Sequence, residues 1–63
     1  MDKKTFESRV RQLLAIDMGA VVLYEDMAKI TEDKILKKQF SGICEDEKRH
    51  TALSQQILSL LKE

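Results

Sequence analysis

Apolar side chains recur in alternating steps of four and three residues along nearly the whole chain, and the series breaks only once. In the first half it runs Phe6, Val10, Leu13, Asp17, Ala20, Tyr24 and Met27; in the second, Leu36, Phe40, Ile43, Glu47, His50, Ser54, Ile57 and Leu61. A mean step of about 3.5 residues holds one stripe on one side of a helix, whereas strands would need a period of two. The break is Thr31-Glu32-Asp33-Lys34. There Asp33 can cap a second helix and Glu32 adds negative charge near its N-terminus; Asp2 or Thr5 can cap the first. The pattern predicts helix 1 over about 3–30 and helix 2 over about 34–62. Residues 1–63 then form a single domain, an all-α antiparallel two-helix hairpin.

A hairpin of 63 residues buries little on its own, and chains below about 70–80 residues are usually helped by disulfides, metals or oligomerisation. The single Cys excludes an internal disulfide. Helix 1 is apolar on more than one face, with Leu14, Val21 and Ala28 in a second row and Ile16, Leu23 and Ile30 in a third. Such breadth implies burial from several sides. Two hairpins are therefore expected to dock as a four-helix-bundle homodimer, with further association into a higher oligomer. Gly19 costs the helix about 1 kcal/mol relative to Ala and is either tolerated or a point of close helix approach. A net charge of zero with 35% charged residues suits solvated mixed-charge faces and gives no support for nucleic acid or an anionic membrane as partner. The longest apolar run, Gly19 to Tyr24, is too short to span a bilayer. The absence of a signal-type apolar region after the first residues, together with one free Cys, leads to the expectation of a cytoplasmic protein.

Against this background the stripe carries residues that do not belong in a core. Asp17, Tyr24, Glu47 and His50 all occupy seam positions, and Glu47 and His50 form a Glu-x-x-His pair. Buried carboxylates and imidazoles cost several kcal/mol (about 3–5 once a partner is missing) unless paired or bound to metal. With the turn centred near residue 32, Asp17 and Glu47 each lie fifteen residues away, so both sit about 22 Å from the turn. His50 follows one turn later on the face of Glu47. One hairpin thus offers two carboxylates and one imidazole at one height. Two hairpins around a two-fold axis would offer four carboxylates and two imidazoles, a set that suits two divalent cations of intermediate hardness. Without a cation, four such carboxylates would repel and bind protons. Glu25, the longer acid, falls about 12 Å from the level of Asp17 and off the seam, and is expected at the flank.

The combination of Asp17, Tyr24 seven residues later, and the Glu-x-x-His within "FSGICEDEKRHTAL" resembles the ferritin-like di-iron carboxylate superfamily. The stretch is similar to the second helix of rubrerythrins. The architecture resembles encapsulated ferritins, two-helix proteins that build a ferroxidase centre between two identical hairpins. The resemblance covers nearly the whole chain. It implies Asp17, Glu47 and His50 as iron ligands, with Glu47 bridging, and Tyr24 as a nearby phenol that hydrogen-bonds a ligand or donates an electron. It implies two iron ions per dimer, with manganese or zinc as alternatives, and dioxygen or peroxide as oxidant. Two departures stand out. The first-helix ligand is Asp where the family has Glu, and no C-terminal extension of the cargo-docking kind follows, so encapsulation is not expected.

The function expected is therefore oxidation of Fe²⁺ at a centre shared by two chains. A rubrerythrin-like peroxide-consuming oxidoreductase is the near alternative, although the chain has no Cys-x-x-Cys pairs for electron entry. The other class is a non-catalytic metal-binding helical interaction module, in which the seam residues only fix pairing. Several residues also have plain structural readings. Tyr24 can simply fill the core, Cys44 can be a small hydrophobe off the seam, and Glu45-Asp46 with Lys48-Arg49 can form a solvated face.

Overall fold

The computed structural model describes residues 2–62. It consists of two α-helices, α1 (Lys3–Ile30) and α2 (Lys34–Lys62), and no strand is present among the described residues. Helix α2 runs back along α1, so that Val21 meets Cys44 and Tyr24 meets Phe40. The result is a rod of 46 × 14 × 14 Å.

Both helices begin on an aspartate. The carboxylate of Asp2 accepts from the Thr5 N–H at 2.7 Å. That of Asp33 accepts from the Ile35 and Leu36 N–H groups at 2.9 and 3.0 Å. Each satisfies donors that a helix N-terminus leaves without partners. Helix α1 ends where Thr31 turns extended (φ −76°, ψ 137°), its N–H still reaching the Met27 carbonyl at 3.1 Å. Among the described residues none takes a positive φ, so the connection between the helices requires no glycine. Gly19 and Gly42 both face open space, with nothing within 4 Å of where a Cβ would stand; Gly19 marks no close helix approach within the hairpin.

The contact between the helices differs from the expected seam in one respect. Val10, Asp17 and Tyr24 of α1, and Phe40, Glu47, Ser54 and Leu61 of α2, face the opposite helix as expected. Their companions are not Phe6, Leu13 and Met27 with Leu36, Ile43, His50 and Ile57, all of which are exposed. Leu14, Val21 and Ala28 pack there instead, against Cys44, Thr51 and Leu58. Cys44 is thus on the seam rather than off it, and with Val10 and Leu58 it is one of three buried apolar residues among the described residues. A 3.5-residue repeat places one apolar row on each side of the central row. The sense in which the tight turn folds α2 back selects the row that faces inward.

The row left outside is as apolar as the row taken in. Because the helices are antiparallel, residues displaced in the same rotational sense from the seam fall on the same broad face. Phe6, Leu13 and Met27 of α1 therefore share one face with Leu36, Ile43, His50 and Ile57 of α2. On the opposite face a shallow depression is lined by Met18, Val21, Val22, Lys48 and Thr51. Among the described residues, fourteen large apolar side chains are at least 39% exposed, and contiguous exposed apolar surface is a mark of interaction sites. Neither helix is long and apolar enough to cross a membrane.

Candidate metal centre

Midway along the rod the seam changes from apolar to ionisable. Asp17 reaches in from α1, and Glu47 and His50 from α2. Each of the three offers a ligand atom within 4.8 Å of the others. Oxygen and nitrogen ligands about 2.1 Å from a shared cation can stand at most about 4.2 Å apart, so a small rotamer adjustment would be needed to bring all three onto one ion. Their surroundings are unequal. Glu47 is largely enclosed, with a side chain 19% exposed, whereas the His50 side chain is 58% exposed and lies on the open apolar face. The His50 Nδ1 stands 3.6 Å from the Glu47 carboxylate. Thr51, one turn beyond Glu47, donates its hydroxyl to the Glu47 carbonyl at 3.0 Å. Sequence reasoning did not single out Thr51, although a threonine four residues after a helical residue regularly makes this bond.

The electrostatics report a site short of positive charge. Burial pushes the Glu47 carboxyl above its ordinary value. The adjacent Asp17 carboxylate pushes it further by hydrogen bonding and repulsion, and His50 only partly opposes the shift. Two carboxylates facing each other in reduced solvent repel, and a proton or a cation between them relieves that repulsion. One imidazole nitrogen with carboxylate oxygens is a donor set for iron, manganese or zinc. The three residues therefore fit a divalent cation, and together they leave coordination positions for further ligands.

No family model, no curated protein and no solved structure matches the chain.

Tyr24 lies on the seam, toward the turn from Asp17, Glu47 and His50. Its ring packs on Phe40, with centroids 6.3 Å apart and planes inclined at 34°. Seven residues from Asp17 amount to about 10 Å along the helix toward the turn. Glu25 is exposed, on the flank where it was expected. Cys44 lies between Tyr24 and the cluster, its buried thiol donating to the Val21 carbonyl at 3.6 Å. Glu45 and Asp46 are exposed and paired with Lys48 and Arg49 at 3.3 and 2.7 Å.

Proposed function

We propose that two copies of the hairpin dock through the face carrying His50 and together bind two ferrous ions, which they oxidise. The observation that carries this reading is the Asp17–Glu47–His50 cluster, half enclosed by its own chain and open on its apolar side. One hairpin supplies three ligand groups; a second copy raises the set to four carboxylates and two imidazoles, enough for two ions with positions to spare. Docking also buries His50 and the apolar residues beside it, removing water from around the centre and strengthening every charge interaction there.

Ferrous iron is the substrate, and dioxygen or peroxide is the electron acceptor. With peroxide, each of two ferrous ions gives up one electron, and two protons are consumed as two waters form. The chain contributes placement and charge. Asp17 and Glu47 provide hard anionic oxygens, which favour the ferric over the ferrous state, and His50 provides a neutral nitrogen that holds the ions in register. The Asp17 arm is one methylene shorter than a glutamate's and reaches less far toward the ions, so it binds one of them directly or through water, or suits a different metal. Tyr24, two turns away against Phe40, is left the role of electron donor rather than hydrogen-bond partner of a ligand.

The same cluster would serve a non-catalytic module in which a bound cation only locks two hairpins together. Air separates the readings, since a ferroxidase converts bound ferrous to ferric iron and a static site does not. Association is tested by light-scattering mass with and without Fe²⁺ under anaerobic conditions. A dimer tightened by the metal is expected; a monomer under both conditions would overturn the proposal.

A further inference from the structure

The exposed rows of the hairpin also constrain how a second copy is oriented. Two hairpins can be related by a two-fold axis along the helices, which puts both turns at one end and α1 beside the partner's α2. Alternatively the axis lies across the helices, which puts the turns at opposite ends, α1 beside the partner's α1 and α2 beside the partner's α2. The second arrangement keeps full overlap only if the shared centre sits halfway along the rod. It does: Asp17 lies near the middle of Lys3–Ile30 and Glu47 near the middle of Lys34–Lys62. Both arrangements bring the two clusters together, and the residues flanking them decide between the two.

Next to the outward row of α1 comes Ile16, which is 65% exposed at the level of the cluster. The equivalent flank of α2 carries Asp46, paired with Arg49 at 2.7 Å, with side chains 59% and 75% exposed. With both turns at one end, Ile16 lands beside the partner's Asp46, and this apolar-on-charge mismatch occurs twice. With the turns at opposite ends, Ile16 meets the partner's Ile16. Asp46 then stands within about 1.5 Å in height of the partner's Arg49, whereas like charges of the two chains are about 3–6 Å apart. Opposite charges are nearest, and like charges are further apart. The same arrangement sets Leu13 beside the partner's Ala20, large against small, and Phe6 beside the partner's Met27, ring against sulfur.

We infer that the second copy docks head to tail, Ile16 packing on the partner's Ile16 at the two-fold while the Asp46–Arg49 pairs of adjacent α2 helices interleave as a four-charge cluster that selects this orientation. The inference rests on the reading that two hairpins share one centre, and its test separates the two. An Arg49→Asp chain is acidic at both positions, and an Asp46→Arg chain is basic at both. Head-to-tail docking puts these positions together across the interface, so each variant alone should dimerise less than the wild type. In an equimolar mixture with one chain isotope-labelled, native mass spectrometry should find mixed dimers enriched about five-fold over like pairs. With the turns at one end the two α2 helices lie diagonally, and pairing stays near the statistical ratio. Statistical pairing, or no dimer in the mixture while the wild type dimerises, overturns the orientation. A wild-type chain that forms no dimer overturns the shared centre itself. As a second measurement, Ile16→Cys in a Cys44→Ala background should oxidise to a disulfide-linked dimer; failure of that dimer to cross-link contradicts the contact at the two-fold.

Discussion

His50→Leu separates the chemical and structural roles of the exposed face most cleanly. His50 stands on a row with Leu36, Ile43 and Ile57, so leucine there completes an apolar stripe. Fully burying a leucine side chain stabilises by about 1.5–3 kcal/mol. Because 58% of the present side chain is exposed in the single hairpin, docking can realise roughly 1–2 kcal/mol of that per chain. Two chains contribute roughly 2–4 kcal/mol, which is about 30- to 850-fold in the metal-free dimer dissociation constant. Metal binding moves the other way, because each centre loses its nitrogen donors. Sedimentation equilibrium with and without Fe²⁺ reads both effects on one sample. The expected variant is a tighter dimer that no longer responds to metal. Unchanged dimerisation together with wild-type metal response would refute the reasoning, since His50 would then be neither on the interface nor at the centre.

Other changes bear on separate parts of the account. Glu47 titrates above its ordinary 4.5 in the metal-free fold, so the folded chain holds that proton more tightly than the unfolded one. The associated stability is fully present below 4.5 and is lost as pH rises through the raised value. Thermal melts in chelator should therefore weaken from acid toward neutral pH, and Glu47→Gln should flatten that slope; a wild-type melt rising over the same range would contradict it. Asp33→Ala removes the acceptor of two α2 N–H groups and should cost about 1 kcal/mol in denaturant unfolding at fixed protein concentration. Gly19→Ala meets no atom within 4 Å and should gain about 1 kcal/mol in the same assay; a loss would place a partner against that surface. Tyr24→Phe should leave ferrous affinity unchanged, because the ring packs on Phe40 away from the ligands, and a large loss in an anaerobic titration would bring its hydroxyl back to the centre.

Much of this was legible in the sequence because helical periodicity and chain reversal are local properties. The 3.5-residue repeat marked two helices; Asp33 marked where the second begins, and of the two candidates for the first, Asp2 and Thr5, it is Asp2 that caps it. Equal distances from the turn brought Asp17 to Glu47 and His50, since height along an antiparallel pair depends only on residue count. Rotation about the helix axes was not legible. Leu36, Ile43 and Ile57 are more apolar than Cys44, Thr51 and Leu58, and hydrophobicity alone favours the stripe that the turn in fact leaves outside. The surplus is informative in its own right. In α1 one apolar row packs on α2 and the other is left exposed.

The most direct test is anaerobic titration with Fe²⁺ followed by admission of air, monitored by the ultraviolet absorbance of ferric species and paired with light-scattering mass. The account predicts saturation near about one iron per chain, two per dimer, and a rise in absorbance once oxygen enters. No saturable uptake, or saturation on a stable monomer, would contradict a centre built where two copies meet.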